Sequence, residues 1–184
     1  MPPPSFSRST APTAPAVGDH VVLVGMMGSG KTSVGRRVAE ALARPFVDTD
    51  NLVEADTGHP IAEIFAAEGE AGFRGHESAA VAKATSSTTP AVIATGGGAV
   101  LDPANRERLA RAGTVVWLSA TVDTLIGRVR TGDHRPLLAD GAEFVLRRLS
   151  AERTGLYESM ADAVVVVDDL TGEQVAECVL AACR

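Results

Sequence analysis

Eight consecutive residues constrain this chain more than any others: Gly25-Met26-Met27-Gly28-Ser29-Gly30-Lys31-Thr32 match the pattern G-x-x-x-x-G-K-[ST]. Such a glycine-rich turn carries chemical meaning only between a buried strand and a helix start. Both flanks are present. Val21-Val22-Leu23-Val24 is a short apolar run, and Thr32 to Leu42 shows helical spacing through Val34, Val38, Ala41 and Leu42. The glycines let successive backbone N–H groups converge on phosphate oxygens, and the helix start adds the positive end of its dipole. Lys31 is placed to reach the β- and γ-phosphates, and the Thr32 hydroxyl can ligate Mg²⁺. Gly28, Ser29, Gly30, Lys31, Thr32 and Ser33 are therefore the expected nucleotide-phosphate set.

Four more apolar runs follow: Pro45-Phe46-Val47, Ala91-Val92-Ile93-Ala94, Thr114-Val115-Val116-Trp117-Leu118 and Ala163-Val164-Val165-Val166-Val167. Helix-like sequence separates them, which predicts right-handed crossovers and a central parallel sheet of five strands with helices on both faces. The expected fold is a three-layer α/β P-loop kinase architecture. A chain of 184 residues with 45% hydrophobic side chains has room for one such domain, expected over 19–184. Aromatics make up only 4%, so Ala, Val, Leu and Ile must fill the core, as suits strands covered on both faces. Residues 1–18 are rich in Pro, Ser, Thr and Ala without periodicity and read as a loose, disordered tail. Pro60 marks the first turn of a helix carrying Ile61, Ile64 and Phe65, and a further helix is expected from about Glu70 to Ala84. Arg130 to Gly141 is polar and punctuated by Pro and Gly, as expected of a mobile lid.

The formal net charge of −6 lacks the positive field that a nucleic-acid partner requires. No apolar run approaches a membrane span, and the first eighteen residues lack the core of a secretory signal. A cytoplasmic monomer is expected. Cys178 and Cys183, five apart in a helix, should not face one another, and no disulfide is predicted.

Three further groups should meet the P-loop at the carboxyl edge of the sheet, where open α/β sheets bind ligands. Asp48-Thr49-Asp50 follows the second strand. One of the three can cap the next helix, and spacing along an extended strand would put both carboxylates on one face. Thr95-Gly96-Gly97-Gly98 follows the third strand and can bring backbone close to a ligand. Arg74 and Glu77 lie one helical turn apart, and Arg153 precedes Leu156-Tyr157; taken alone, each arginine reads as a solvated surface charge. Arg135, beside Pro136-Leu137-Leu138 in the lid, is a mobile cation suited to a transferring phosphoryl group.

Taken together, GMMGSGKT, DTD, FR followed by E, GGGAV, RPLL and R-x-x-LY resemble the shikimate kinase family from His20 to the end. Gly75-His76 and Thr154-Gly155 depart from the family pattern. The resemblance implies an ATP-dependent transfer to shikimate in the route to aromatic amino acids. It implies that Asp50 contacts the ring hydroxyls, that Arg74 and Arg153 hold the carboxylate, and that Gly97 adds backbone contacts. It further implies that Arg135 is the lid arginine, that Arg130 packs on adenine, and that Asp48 is a Mg²⁺ partner. Lys31, Asp50 and Arg135 are the expected catalytic residues. Another small-molecule kinase, for gluconate or a nucleoside monophosphate, is the nearest alternative, although a nucleoside acceptor would call for stacking aromatics. A guanine-nucleotide switch would need an N-K-x-D motif, and neither Lys31 nor Lys83 lies in one. A catalytically inactive family member is disfavoured by the intact Lys31, Thr32, Asp50 and Arg135.

Overall fold

The computed structural model describes residues 6–8, 19–130 and 142–183. Its first long-range feature is β2 (His20–Val24), a strand buried at every position. Successive side chains of a strand point to opposite faces, so Val21 and Leu23 join one core cluster while Val22 and Val24 join the other. The first cluster takes in α1 (Lys31–Ala41) through Val34 and Val38, and α7 (Gly172–Ala182) through Val175 and Val179. The second takes in α3 (Ile61–Thr85), α4 (Pro103–Ala112), α5 (Val122–Arg130) and α6 (Ala142–Met160) through Val81, Leu109, Leu125 and Leu146. The result is the expected three-layer sandwich.

The remaining strands are β1 (Phe6–Arg8), β3 (Phe46–Asp48), β4 (Val92–Ala94), β5 (Gly113–Ser119) and β6 (Ala163–Val166), and the spatial order is β1-β6-β5-β2-β4-β3. Strands β2 to β6 form the predicted five-stranded parallel sheet, with Val22 opposite Ile93 on one side and Val115 on the other. The chain leaves β2 toward β3 and β4, then crosses to β5 and β6. That reversal of direction opens a crevice at the carboxyl end of β2, where the P-loop lies.

One expectation is corrected here. The N-terminal segment is not tail throughout: β1 adds an antiparallel edge strand, with Phe6 opposite Val165 and Arg8 opposite Ala163. The physical cause lies in β6, whose outer edge would otherwise present unpaired N–H and C=O groups. Phe6-Ser7-Arg8 is free of proline and can pair with it.

On the other side of the sheet, α2 (Thr49–Thr57) and α3 build a small separate cluster from Val53, Ile64, Phe73 and Ala80, with Phe65 stacked on Phe73 at 4.5 Å. Helix α3 breaks at Gly69 (φ 71°, ψ −173°), just before the second helix expected from Glu70. The two cysteines are free thiols. Among the described residues no helix is long and apolar enough to cross a membrane. Arg135 and residues 131–141 of the predicted lid lie outside the described residues, as does the side chain of Arg130.

Candidate active site

Phosphate recognition begins with backbone. Gly28 (φ 80°) and Gly30 (φ 93°) take left-handed conformations that L side chains disfavour, and Gly30 starts α1 with no side-chain cap. The first N–H groups of α1 therefore point into the cleft without a capping acceptor. Lys31 is 9% exposed and folds back along the loop, its Nζ donating to the carbonyls of Gly25 and Met26, each at 2.8 Å. Ser29 is buried, and its Oγ is without a hydrogen-bond partner among the described residues.

At the end of β3, Asp48 does two jobs. Its Oδ1 accepts from the Asp50 N–H at 3.1 Å, capping α2, and its Oδ2 accepts from the Thr32 hydroxyl at 2.8 Å. The expectation that Asp48 and Asp50 share the face of an extended strand is corrected by this cap. Asp50 already belongs to the first turn of α2, and the two carboxylates diverge from a helix start. Asp48 stays beside Thr32 and the P-loop. Asp50 turns toward the loop after β4.

That loop explains its three glycines one by one. A Cβ on Gly96 would come within 2.6 Å of Asp50 Oδ1 and 2.7 Å of Glu77 Oε1, and one on Gly98 would collide with the Arg74 guanidinium. A Cβ on Gly97 would press on the P-loop itself, 3.4 Å from Gly25 O and Met27 N. The Gly96 N–H donates to Thr49 Oγ1 at 2.9 Å, which binds this loop to the DTD segment.

Charge converges on Glu77, which is 2% exposed. Arg74 donates to it at 2.7 Å and to Glu70 at 3.0 Å, while Asp50 and Arg153 act on the same carboxylate through space. Burial pushes the Glu77 carboxyl above the usual carboxylate range, although Arg74 pulls it down. The reading of both arginines as solvated surface charges is corrected. The Arg74 side chain is 28% exposed and ion-paired, and Arg153 is 6% exposed with a buried Nε that no group among the described residues accepts from. A buried guanidinium with an unused donor is suited to an anionic ligand.

P-loop, DTD segment and glycine loop line one cavity of about 270 Å³, with Lys31, Thr32, Asp48, Asp50 and Gly97 on its wall. The shikimate kinase family profile matches residues 27–184, most of the chain. The chain belongs to the shikimate kinase family. A shikimate kinase of Symbiobacterium thermophilum is 53% identical over 152 residues, covering 81% of this chain and 87% of that protein. Among solved structures, shikimate kinase from Acinetobacter baumannii in complex with shikimate superposes with a TM-score of 0.84 at 38% identity, covering 89% of this chain and 92% of that one. A gluconokinase from Sinorhizobium meliloti, at 22% identity and a TM-score of 0.58 over 90% and 91% of the two chains, shares the fold alone.

Beyond the residues selected from the sequence, the cavity is lined by Arg128, whose Nη2 donates to the Val167 carbonyl at 2.7 Å. Arg130, which the resemblance implies packs on adenine, has its side chain outside the described residues. Arg128 was not selected from the sequence; the signal for it is helical spacing, since it lies three residues after the fully buried Leu125 on the same face of α5.

Proposed function

We propose that the chain transfers the γ-phosphoryl group of ATP to the 3-hydroxyl of shikimate, giving ADP and shikimate 3-phosphate. The observation that carries this reading is the convergence of one carboxylate, Asp50, and two guanidinium groups, Arg74 and Arg153, around buried Glu77 beside a P-loop. A small acidic polyol needs that combination: cations for its carboxylate and an acceptor for its hydroxyl protons.

In the proposed mechanism, the P-loop N–H groups and the start of α1 hold the phosphate chain. Lys31 exchanges its two loop carbonyls for phosphate oxygens, so it meets the developing charge already desolvated. Asp50 accepts a hydrogen bond from the attacking hydroxyl and orients its lone pair toward the γ-phosphorus. As the bond from phosphorus to the hydroxyl oxygen forms, the bond to the β-phosphate oxygen breaks and the hydroxyl proton passes to Asp50. The transition state is loose, with charge on the peripheral oxygens, so the cations contribute more than the base. Arg74 and Arg153 clamp the substrate carboxylate, and the Gly97 backbone closes the ring site.

The Thr32 hydroxyl beside Asp48 offers two hard oxygens, a donor set that fits Mg²⁺ completed by phosphate oxygens and water. When bound there, Mg²⁺ would neutralise charge on the β- and γ-phosphates. Arg135 is proposed as the lid cation and Arg130 as the residue that packs on adenine, with Arg128 on the cavity wall. A cytoplasmic monomer is the proposed working form.

The test is an ADP-release assay with shikimate, gluconate and nucleoside monophosphates in parallel. Turnover with shikimate at least a hundredfold above the others, by kcat/KM, is the expected result on the scale of a site built for one polar acceptor. Preference for any other acceptor overturns the assignment.

A further inference from the structure

Tyr157 lies on α6 one helical turn after Arg153, is 1% exposed, and is the single tyrosine of the chain. Its ring stacks on Trp117 of β5 at 5.8 Å, a packing role that phenylalanine could fill. The hydroxyl has a different set of neighbours. It donates to the Gly97 carbonyl at 2.6 Å and lies 3.8 Å from the Met26 sulfur. Met26 is a P-loop residue whose carbonyl holds Lys31, and Gly97 lies where an added Cβ would reach the backbone of Gly25 and Met27 at 3.4 Å. A phenol has one proton and two lone pairs. With the proton committed to Gly97, the oxygen keeps its lone pairs for its other neighbours, and the charge of Arg153, one helical turn earlier, acts on the phenol.

We propose that Tyr157 is a positioning residue for the acceptor, holding the Gly97 backbone in register with the P-loop before substrate arrives. The assignment rests on the acceptor reading given above. Burial pushes the phenol up to about 12, so the proton stays on the donor throughout the working range and the hydroxyl takes no part as a base.

Tyr157→Phe keeps the ring and removes the donor. The expected result is a rise of roughly tenfold in KM for shikimate, the scale of a lost hydrogen bond near a charge. KM for ATP should stay within about twofold and kcat within about threefold, with the same ratio to wild type from about pH 6.5 to 9. Trp117→Phe loosens the stack without touching the hydroxyl and should lower Tm while leaving KM for shikimate within about twofold. An unchanged KM for shikimate in Tyr157→Phe overturns the proposal, as does an equal rise in Trp117→Phe, which would make Tyr157 a packing residue only. Absence of wild-type turnover with shikimate overturns the substrate reading and this assignment with it.

A second measurement needs no variant. Uniform 3-fluorotyrosine labelling places one reporter, at Tyr157, and its ¹⁹F resonance should move when shikimate is added. A resonance unmoved at saturating shikimate overturns the proposal even if Tyr157→Phe fails to fold.

Discussion

The two halves of the cleft are built by different means. On the proposed phosphate side the contacts come from consecutive residues, Gly25 to Thr32, and chiefly from backbone N–H groups whose direction follows from local conformation. On the proposed acceptor side the contacts would come from side chains of α2, α3 and α6, spread along the chain from Asp50 to Arg153 and held together by packing, by the charges around Glu77 and by hydrogen bonds to the glycine loop. A local device tolerates remote change, because its geometry is set within one loop. A tertiary device does not, since each ion is placed by another. Damage to the acceptor side should therefore spread among acceptor residues and stop at the P-loop.

The largest expected effect is on the phosphate side. Lys31→Ala removes the one lysine in the loop, and turnover should fall by about a thousandfold or more, because the point charge aimed at the γ-phosphate is lost from a desolvated site. Steady-state ADP release checks this, and activity within tenfold of wild type would mean that another cation faces the γ-phosphate. Asp50→Asn comes next. It keeps shape and hydrogen bonding but removes the proton acceptor, so kcat should fall about a hundredfold with little change in Mg²⁺ dependence. Asp48→Asn should instead raise the Mg²⁺ concentration for half-maximal rate, roughly tenfold, because the Thr32 pairing is disturbed. A reversal of these two responses would interchange the roles.

The arginines test the comparison directly. Arg153 is buried and its Nε has no acceptor among the described residues, whereas Arg74 already spends two donors on Glu77 and Glu70. Arg153→Ala should weaken shikimate binding by roughly thirtyfold or more, and Arg74→Ala by less, both with ATP affinity unchanged by calorimetry. Loss of ATP affinity in either variant would break the separation between the halves.

The same division decides how much could be read from the residues alone. The P-loop was legible because its eight members are adjacent and flanked by a strand and a helix. The five parallel strands were legible as apolar runs. The DTD and GGG segments were recognisable as patterns, but their cause was not. Gly96 makes room for Asp50 and Glu77, Gly97 for the P-loop backbone and Gly98 for Arg74, and each of those neighbours is supplied by another part of the chain. Burial of Arg153 is likewise a property of what α6 packs against, so charge alone suggested a surface residue. Strand β1 carries no periodic signal in three residues; the open edge of β6 calls it into the sheet.

The smallest expected effect concerns Glu77, the group on which the acceptor side converges. Burial raises its folded-state pKa above the unfolded value, so between the two the folded protein binds the proton more tightly. The contribution of that proton to stability is fully present below the unfolded pKa and is lost as pH rises through the folded pKa. Wild-type stability should therefore carry a component that falls from about pH 4.5 upward. Glu77→Gln cannot titrate and should flatten that component, leaving Tm near neutral pH within a few degrees of wild type. Arg74 would nevertheless lose its buried ionic partner, so KM for shikimate should rise severalfold while KM for ATP holds. Melting curves from pH 4 to 8 on both proteins, set beside the two KM values, check this. If Glu77→Gln leaves the pH profile of Tm unchanged, Glu77 is ionised in the folded protein as readily as in the unfolded chain. Arg74 and Arg153 would then offset the whole cost of burying that carboxylate.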